Sequence, residues 1–442
     1  MIPTTSITYR RIWQIAYPII LGSVAQNIIN VTDTAFLGRV GVVALGAAAI
    51  GGLFYIVIFM LGFGFAIGTQ IIVARRNGEE KYTEIGQTME QAAWFMLPLA
   101  LLMFVFMQFL SGSMLSGIIG SEDVFRETDN FIRYRSYGIF FAFTNLLFRA
   151  FYIGIARTKV ITWSTMVLAL VNVFLDYSLI FGHFGFPEMG IRGAALASVI
   201  AEASATLFFA VFTISRTSRK KYDLFSFRGF RKELFTRIFM LASPIMVQNF
   251  LSIGSWLVFF LMVEKMGELP LAVSNVIRSF YIVLMIPIWG FSSATNTLVS
   301  YVIGARRRAE VPGVIFKNVI LTFIAVTLFV LISLGFPEQI LSIYSNDAGL
   351  ISASIPVLKV VSLAAIFLSV SFILFNGVSG TGKTQYSLII EFITIVVYLI
   401  STYLMVNVWH LNIVIIWTTE YIYSIIMGLL SFLYLYYQRW KQ

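Results

Sequence analysis

Residues 171–182, from Val171 to Gly182, read VNVFLDYSLIFG. The stretch lies within a long apolar run that begins near Val160, and its centre carries one carboxylate, Asp176. A charged carboxylate at mid-bilayer costs about 2.5–3.5 kcal/mol on insertion scales, so a chain that keeps one there has a use for it. Asn172 precedes it by one helical turn, which puts both side chains on one face. An amide and an acid aimed together into a helix bundle make a proton or cation site. The blander alternative is an interhelical hydrogen bond that only holds two helices together.

The surrounding chain supports a membrane setting. It has 442 residues, 59% of them hydrophobic and 12% charged, and a mean hydropathy of +0.87. Soluble domains carry about 25% charge, so an ordinary soluble fold is excluded. Apolar runs long enough to span a bilayer fall at Ile12–Leu37, Ala44–Ala74, Gln87–Leu110, Phe131–Ala156, Ile161–Phe181 and Ile191–Ile214. After a polar segment they resume at Ile238–Val263, Leu271–Ile303, Val314–Leu334, Ile351–Val378, Tyr386–Val408 and Leu411–Tyr437. The reading is an all-α integral membrane protein of twelve transmembrane helices. Arg10 and Arg11 precede the first span and no small-residue cleavage site follows a short apolar core, so that span is expected to stay.

The net charge of +10 does not point to nucleic acid, because the basic residues sit in short connectors. They gather at Arg75, Arg76 and Lys81, at Arg157 and Lys159, densely from Arg216 to Arg237, at Arg306, Arg307, Arg308 and Lys317, and at Arg439 and Lys441. Connectors that are acidic or rich in Pro and Gly, such as Ser121–Asn130, Gly182–Gly190 and Phe336–Leu350, alternate with them. By the positive-inside rule both termini and the central linker are cytoplasmic. No cysteine is present, which excludes disulfides and thiolate chemistry.

The chain also repeats itself. Ile12–Gly78 aligns without a gap on Ile238–Gly304, so that Pro18 meets Pro244, Gly41 meets Gly267 and Phe54–Val57 meets Phe280–Val283. Gly64-Phe65 and Thr69 meet Gly290-Phe291 and Thr295 in the same register. Six spans repeated with the same starting side are a parallel duplication, with halves related about the membrane normal. The expected organisation is an N-lobe over 1–214, a basic linker over 215–237 and a C-lobe over 238–442. Paired bundles of this kind suit alternating access.

On the first span, Gln26, Asn30 and Asp33 form a polar stripe at helical spacing. Lipid cannot satisfy such groups, so the stripe must face the bundle or a wet cavity. If Asp33 and Asp176 meet, like charge and desolvation together favour sharing a proton, and protonation becomes the switch. Glu202 and Glu420 hold related places in the sixth and twelfth spans and read as structural acids. Glu391, early in the eleventh span, is compatible with a place near the cytoplasmic surface. Arg149 and Arg278 lie inside spans, where snorkelling or pairing with an acid explains them. Gln248, Ser252 and Ser255 share one face of the seventh span beside Trp256. With Phe280, Tyr281, Trp289 and Phe291 they are a candidate lining for a flat cation.

Two apparent motifs are set aside. Gly377–Thr384 reads GVSGTGKT and fits the phosphate-binding pattern, but it joins two apolar helices rather than a strand and a helix. It is a tight turn. The histidines, His183 and His410, stand in connectors without zinc-type spacing, so neither a metal site nor an enzyme is indicated.

The stretches PIILGSVAQNIINVTDTAFLGRVG, GFGFAIGTQIIVARRNG and LVNVFLDYSLIFGHFGFPEMGIRGAALASVIAE resemble the first, second and fifth-to-sixth helices of the multidrug and toxic compound extrusion (MATE) family. The resemblance covers essentially the whole chain. It implies two six-helix lobes forming a V around a central cavity, and antiport in which protons or sodium ions enter as organic cations leave. Asp33 and Asp176 fall on the family's first-helix and fifth-helix aspartates, which points to the branch whose coupling aspartates lie in the N-lobe. Asn172 falls on the asparagine one turn before the second of them, Ser198 on a sixth-helix threonine position, and Tyr137 loosely on a fourth-helix tyrosine. Members with a C-lobe sodium site carry acids in helices seven and ten, whereas here the seventh-helix place is Ser252 and Ile351–Val378 holds no acid. Coupling is therefore expected to rest on Asp33 and Asp176, with protons favoured over sodium and no cofactor needed. The expected protein is a monomeric, multi-pass exporter of organic cations or amphiphiles in a bacterial cytoplasmic membrane. Its nearest rival is a lipid-linked saccharide flippase, which would want a cationic cavity; a non-transporting receptor and an intramembrane enzyme are further alternatives.

Overall fold

The computed structural model describes Ile7–Gln438 and Trp440, so Arg439 and Lys441 of the basic tail lie outside the described residues. The apolar runs fold as long helices. These are α1 (Tyr9–Val40), α2 (Val42–Gly78), α3 (Tyr82–Ser116), α4 (Glu122–Ser136), α5 (Gly138–Gly154), α6 (Lys159–Phe181) and α7 (Ile191–Arg216). There follow α8 (Lys232–Glu264), α9 (Glu268–Gly304), α10 (Arg308–Gly335), α11 (Ala348–Gly380), α12 (Thr384–Val408) and α13 (Ile413–Tyr437). Eleven of these are individually long and apolar enough to cross a membrane, and the count is 12 when α4 and α5 are taken as one broken span. The protein is an all-helical, multi-pass membrane protein.

The fourth span differs from the continuous helix expected over Phe131–Ala156. Its first part starts at Glu122 as a charged, amphipathic helix and bends by 49° into apolar α5 at Tyr137. Residues such as Arg133 and Arg135 cannot follow the apolar part into hydrocarbon unpaired. Ser136 and Gly138 flank the bend, the small residues at which helices commonly kink.

The repeat is visible in the backbone. Gly41 precedes α2 at φ +148° and Gly267 precedes α9 at φ +112°, angles that side chains with a Cβ rarely adopt. The helices fall into two compact units, one of residues 21–246 and one of residues up to Ile20 together with Val247 onward. Two helices therefore contribute to both. The opening of α1 packs in the C-terminal unit: the ring of Trp13 lies 5.9 Å from that of Phe291, and a Cβ at Gly290 would sit 2.3 Å from Ile20. The opening of α8 packs in the N-terminal unit, where a Cβ on Gly68 of α2 would lie 2.5 Å from the Cβ of Ala242.

Each unit has its own apolar core. Phe65, Ala92, Met96, Phe143, Ile238 and Ala242 anchor one; Phe259, Ile277, Tyr281, Leu358, Tyr398 and Trp417 anchor the other. Small residues allow the closest approaches, as is usual where lipid supplies no hydrophobic drive between helices. A Cβ at Gly193 of α7 would come within 2.6 Å of the Leu179 carbonyl on α6, so those two backbones meet directly. That closeness sets α7 beside the face of α6 that carries Asp176.

The linker is an ordered strap. After α7 a short helix over Arg219–Tyr222 leads into residues 223–231, which run along α3. Glu90 of α3 accepts hydrogen bonds from the backbone N–H groups of Arg228 (3.0 Å) and Gly229 (2.7 Å). Gln91 accepts from Arg231 N–H (2.8 Å) and donates to the Gly229 carbonyl (2.9 Å).

Candidate functional site

Within the N-terminal unit, Asp176 and Asn172 point from α6 toward α7 and the later part of α1. Asp176 is wholly buried and Asn172 nearly so. The Asn172 amide donates to Ser198 Oγ on α7 across 3.5 Å, a long and weak contact. Asp33 of α1 is half-buried and comes within hydrogen-bonding reach of Asp176. Among the described residues no hydrogen-bond donor serves either Asp176 oxygen, Asp33 Oδ1 or Asn172 Oδ1.

This arrangement constrains the chemistry. An ionised carboxylate only accepts hydrogen bonds, so two of them facing each other have no hydrogen to share. A proton on one acid supplies that hydrogen and removes the like-charge repulsion, and a bound cation serves the same end. Asn172 lies one helical turn before Asp176 on α6, and its one recorded side-chain contact is the long one to Ser198.

A second charged cluster lies next to the first. Arg135, at the end of α4, donates from Nη1 to Glu202 Oε2 of α7 across 2.8 Å, and its other terminal nitrogen pairs with Oε1. Its guanidinium also lies 3.9 Å from the ring centroid of Tyr55, and it is within electrostatic reach of Asp33. Glu202 is thus ion-paired, to an arginine on the charged helix that leads into the apolar part of the fourth span. An arginine inside the expected Phe131–Ala156 span was the signal that could have identified the pair.

The other singled-out residues are more scattered. Gln26 and Asn30 are exposed on α1. Tyr137 sits at the bend between α4 and α5, 54% exposed, with its ring 5.2 Å from that of Phe104. In the C-terminal unit, Phe280, Tyr281 and Phe291 are buried packing residues, and Trp256 lies against Tyr281. Of the aromatic lining read from sequence, Trp289 is exposed. Arg278 lies over the Phe260 ring, and Arg149 is half-buried on α5. Ser252, by contrast, meets an acid: its Oγ lies 2.6 Å from Glu391 Oε1. Glu391 itself is buried, on the early part of α12.

The phosphate-binding pattern dissolves into helix packing. Gly377 and Gly380 belong to α11, where a Cβ would meet Ile315 at 2.7 Å and the Asn296 carbonyl at 2.8 Å. Only a short turn separates them from α12, which starts at Thr384.

Comparison with known proteins agrees with this architecture. The MatE family profile matches the chain twice, over residues 18–178 and 244–404, the two halves of the repeat. A protein of Agrobacterium fabrum named probable multidrug resistance protein NorM is 27% identical over 308 residues, covering 69% of this chain and 63% of that relative. The Thermotoga maritima protein of the same name is 27% identical over 394 residues, 86% of this chain and 82% of its own. Among solved structures, a MATE protein in complex with MaL6 superposes with a TM-score of 0.90 at 17% identity, covering 96% of this chain and 95% of that one.

Proposed function

Because the chain belongs to the MatE family and is a secondary transporter rather than an enzyme, we propose that it exports organic cations or amphiphiles in exchange for protons, by alternating access. The observation that carries this reading is the approach of Asp33 and Asp176 with, among the described residues, no donor serving Asp33 Oδ1 or either Asp176 oxygen. The proton itself completes the hydrogen bonding of that pair, so its arrival and departure change the contacts α1 can make with α6. With both acids ionised, the site holds negative charge that favours a cationic substrate. With a proton bound, that attraction is halved and the substrate is released. Asn172 orients Asp176, Ser198 supports Asn172, and Gln26 and Asn30 extend the polar stripe of α1. Tyr137 is a candidate contact for an aromatic substrate at the α4–α5 bend.

Drug-like substrates are supported by the multidrug-resistance names of the bacterial relatives. The same relatives support a bacterial cytoplasmic membrane as its place, and the basic connectors support cytoplasmic termini. The protein is taken to act as a monomer, with the halves of residues 1–214 and 238–442 as its two lobes.

The test is efflux of a fluorescent cation from proteoliposomes, driven in turn by a proton gradient and by a sodium gradient. Proton-driven flux that disappears in Asp33→Asn and in Asp176→Asn is the expected result. Sodium-driven flux that survives both substitutions would overturn the reading.

A further inference from the structure

The C-terminal unit holds two buried acids, and their hydrogen bonding differs in kind. Glu420 on α13 accepts from two phenols, Tyr281 O–H at Oε2 (3.2 Å) and Tyr398 O–H at Oε1 (3.4 Å). Both its oxygens are served, as an ionised carboxylate requires. Glu391 on α12, only 2% exposed, places all its contacts on one oxygen. Tyr423 O–H donates to Oε1 at 2.9 Å and Ser252 Oγ lies 2.6 Å from the same atom. Its Oε2 is buried without a partner.

Counting hydrogens distinguishes two states of this site. Ser252 has one hydroxyl hydrogen, yet its Oγ also lies 3.0 Å from the Gln248 carbonyl oxygen. If Glu391 is charged, that hydrogen goes to Oε1, and half of the carboxylate charge is left on an Oε2 with no donor. Such a buried, unserved charged atom is expensive. If Glu391 carries a proton on Oε1, the carboxyl O–H donates to Ser252 and Ser252 donates on to Gln248. Every hydrogen then has an acceptor, and Oε2 is an uncharged carbonyl oxygen, the cheaper group to leave bare. Rotation of one hydroxyl converts one pattern to the other without moving a helix.

Among the described residues Glu391 is hydrogen-bonded to Ser252 and Tyr423 and is in no ion pair. From α13 the ionisable groups on this side are Tyr423 and Glu420, and near Tyr423 stand Tyr398 of α12, whose ring lies 5.7 Å from that of Tyr423, and Tyr281 of α9. Arg278 of α9 is engaged at the Phe260 ring. The ionisable residue of α11 is Lys359, which is exposed. On α8, residues 245–259 around Ser252 contain no ionisable side chain.

We propose that Glu391 is a proton-binding residue of the C-terminal unit, with Ser252 as the hydroxyl that reverses its hydrogen bond when the proton arrives or leaves. The site shares no residue with the aspartate pair, so it is tested without reference to transport. The full-length protein, reconstituted in lipid vesicles, is examined by infrared difference spectroscopy between acidic and alkaline buffer. It is prepared both as wild type and with Asp33→Asn and Asp176→Asn combined. The expected result is a protonated-carboxyl band that persists in the combined variant and is lost in Glu391→Gln but kept in Glu420→Gln. Ser252→Ala, which retains the acid, is expected to shift the band because its acceptor is gone. A band unchanged in Glu391→Gln overturns the proposal, as does a band bleached by added sodium at constant pH. Should Glu391→Gln not fold, an unshifted band in Ser252→Ala overturns it alone.

Discussion

Arg135 and Glu202 face each other through two parallel hydrogen bonds, packed over Gly138 at the bend between α4 and α5. A Cβ at Gly138 would stand 2.3 Å from Arg135 Nη1 and 2.6 Å from Glu202 Oε2. The pair is largely shielded, with side-chain exposures of 12% and 13%. Gly138→Ala is expected to destabilise by about 1–3 kcal/mol through overpacking. Glu202→Gln is expected to cost more, about 3–5 kcal/mol, because it strands a buried guanidinium. Removing both charges in Arg135→Met with Glu202→Leu should cost less than Glu202→Gln alone. Thermal unfolding midpoints of the purified variants in one detergent rank the three.

The contact between Asn172 and Ser198 is long, so the two residues should not matter equally. Asn172→Ala removes a buried amide beside Asp176 and is expected to cost about 1 kcal/mol of interaction, or about a fivefold loss in proton-driven flux. Ser198→Ala should change the flux less than Asn172→Ala does. Initial rates in proteoliposomes with matched protein content measure both, and a larger loss in Ser198→Ala would reverse the assigned order.

Gly86 of α3 lies directly beneath the linker strap. A Cβ there would meet the carbonyl oxygens of Asp223 and Tyr222 at 2.2 and 2.3 Å, and backbone atoms cannot swing aside as a side chain does. Gly86→Ala is therefore expected to lift the strap while leaving the transmembrane cores intact. Trypsin should cut the Arg219–Arg231 segment faster in the variant, with little change in the rest of the digest. Equal cleavage rates would mean that the Glu90 and Gln91 hydrogen bonds do not depend on this approach.

Tyr222 ends the short linker helix with its side chain buried, its ring 5.5 Å from that of Phe151. Burial raises its phenol above the ordinary value of about 10. The unfolded chain then ionises first as pH rises, so the stability this burial provides is intact below pH about 10 and is lost above it. The linker of the wild type should become protease-sensitive in alkali earlier than that of Tyr222→Phe, which has no phenol to ionise.

The spans, the repeat and the single aspartates within apolar runs were legible in the sequence because each is a local pattern. Apolar runs need only length, and the match of Pro18 with Pro244 needs only register. Asp176 and Asn172 are one turn apart, and an acid in an apolar run announces itself. Pairings between distant residues were not legible. Glu202 and Glu420 occupy equivalent places, yet one takes an arginine and the other two tyrosines, since the partners come from helices whose sequences have diverged. Ser252 looked like the place of a missing acid. The structure supplies an acid there from α12, a contact that no spacing along the chain encodes. The bend at Tyr137 was also hidden, because hydropathy registers the apolar α5 and passes over the charged helix that feeds it.

The division of α1 bears on how the protein is made. Ile12, Ile15 and Ala16 are completely buried, and in the same opening turns Trp13 lies against Phe291 and Ala16 and Ile20 lie against Gly290, both in the second half of the chain. During synthesis these first side chains therefore leave the ribosome long before anything exists for them to pack against. The same register step that carries Pro18 to Pro244 carries the unit boundary from residue 20 to residue 246, so the second crossing repeats the first. Neither half-chain encodes a finished core of its own. Closing the two cores is thus a late event that must wait for the C-terminal spans, and a chain truncated at the linker would be left with the opening of its first helix bare.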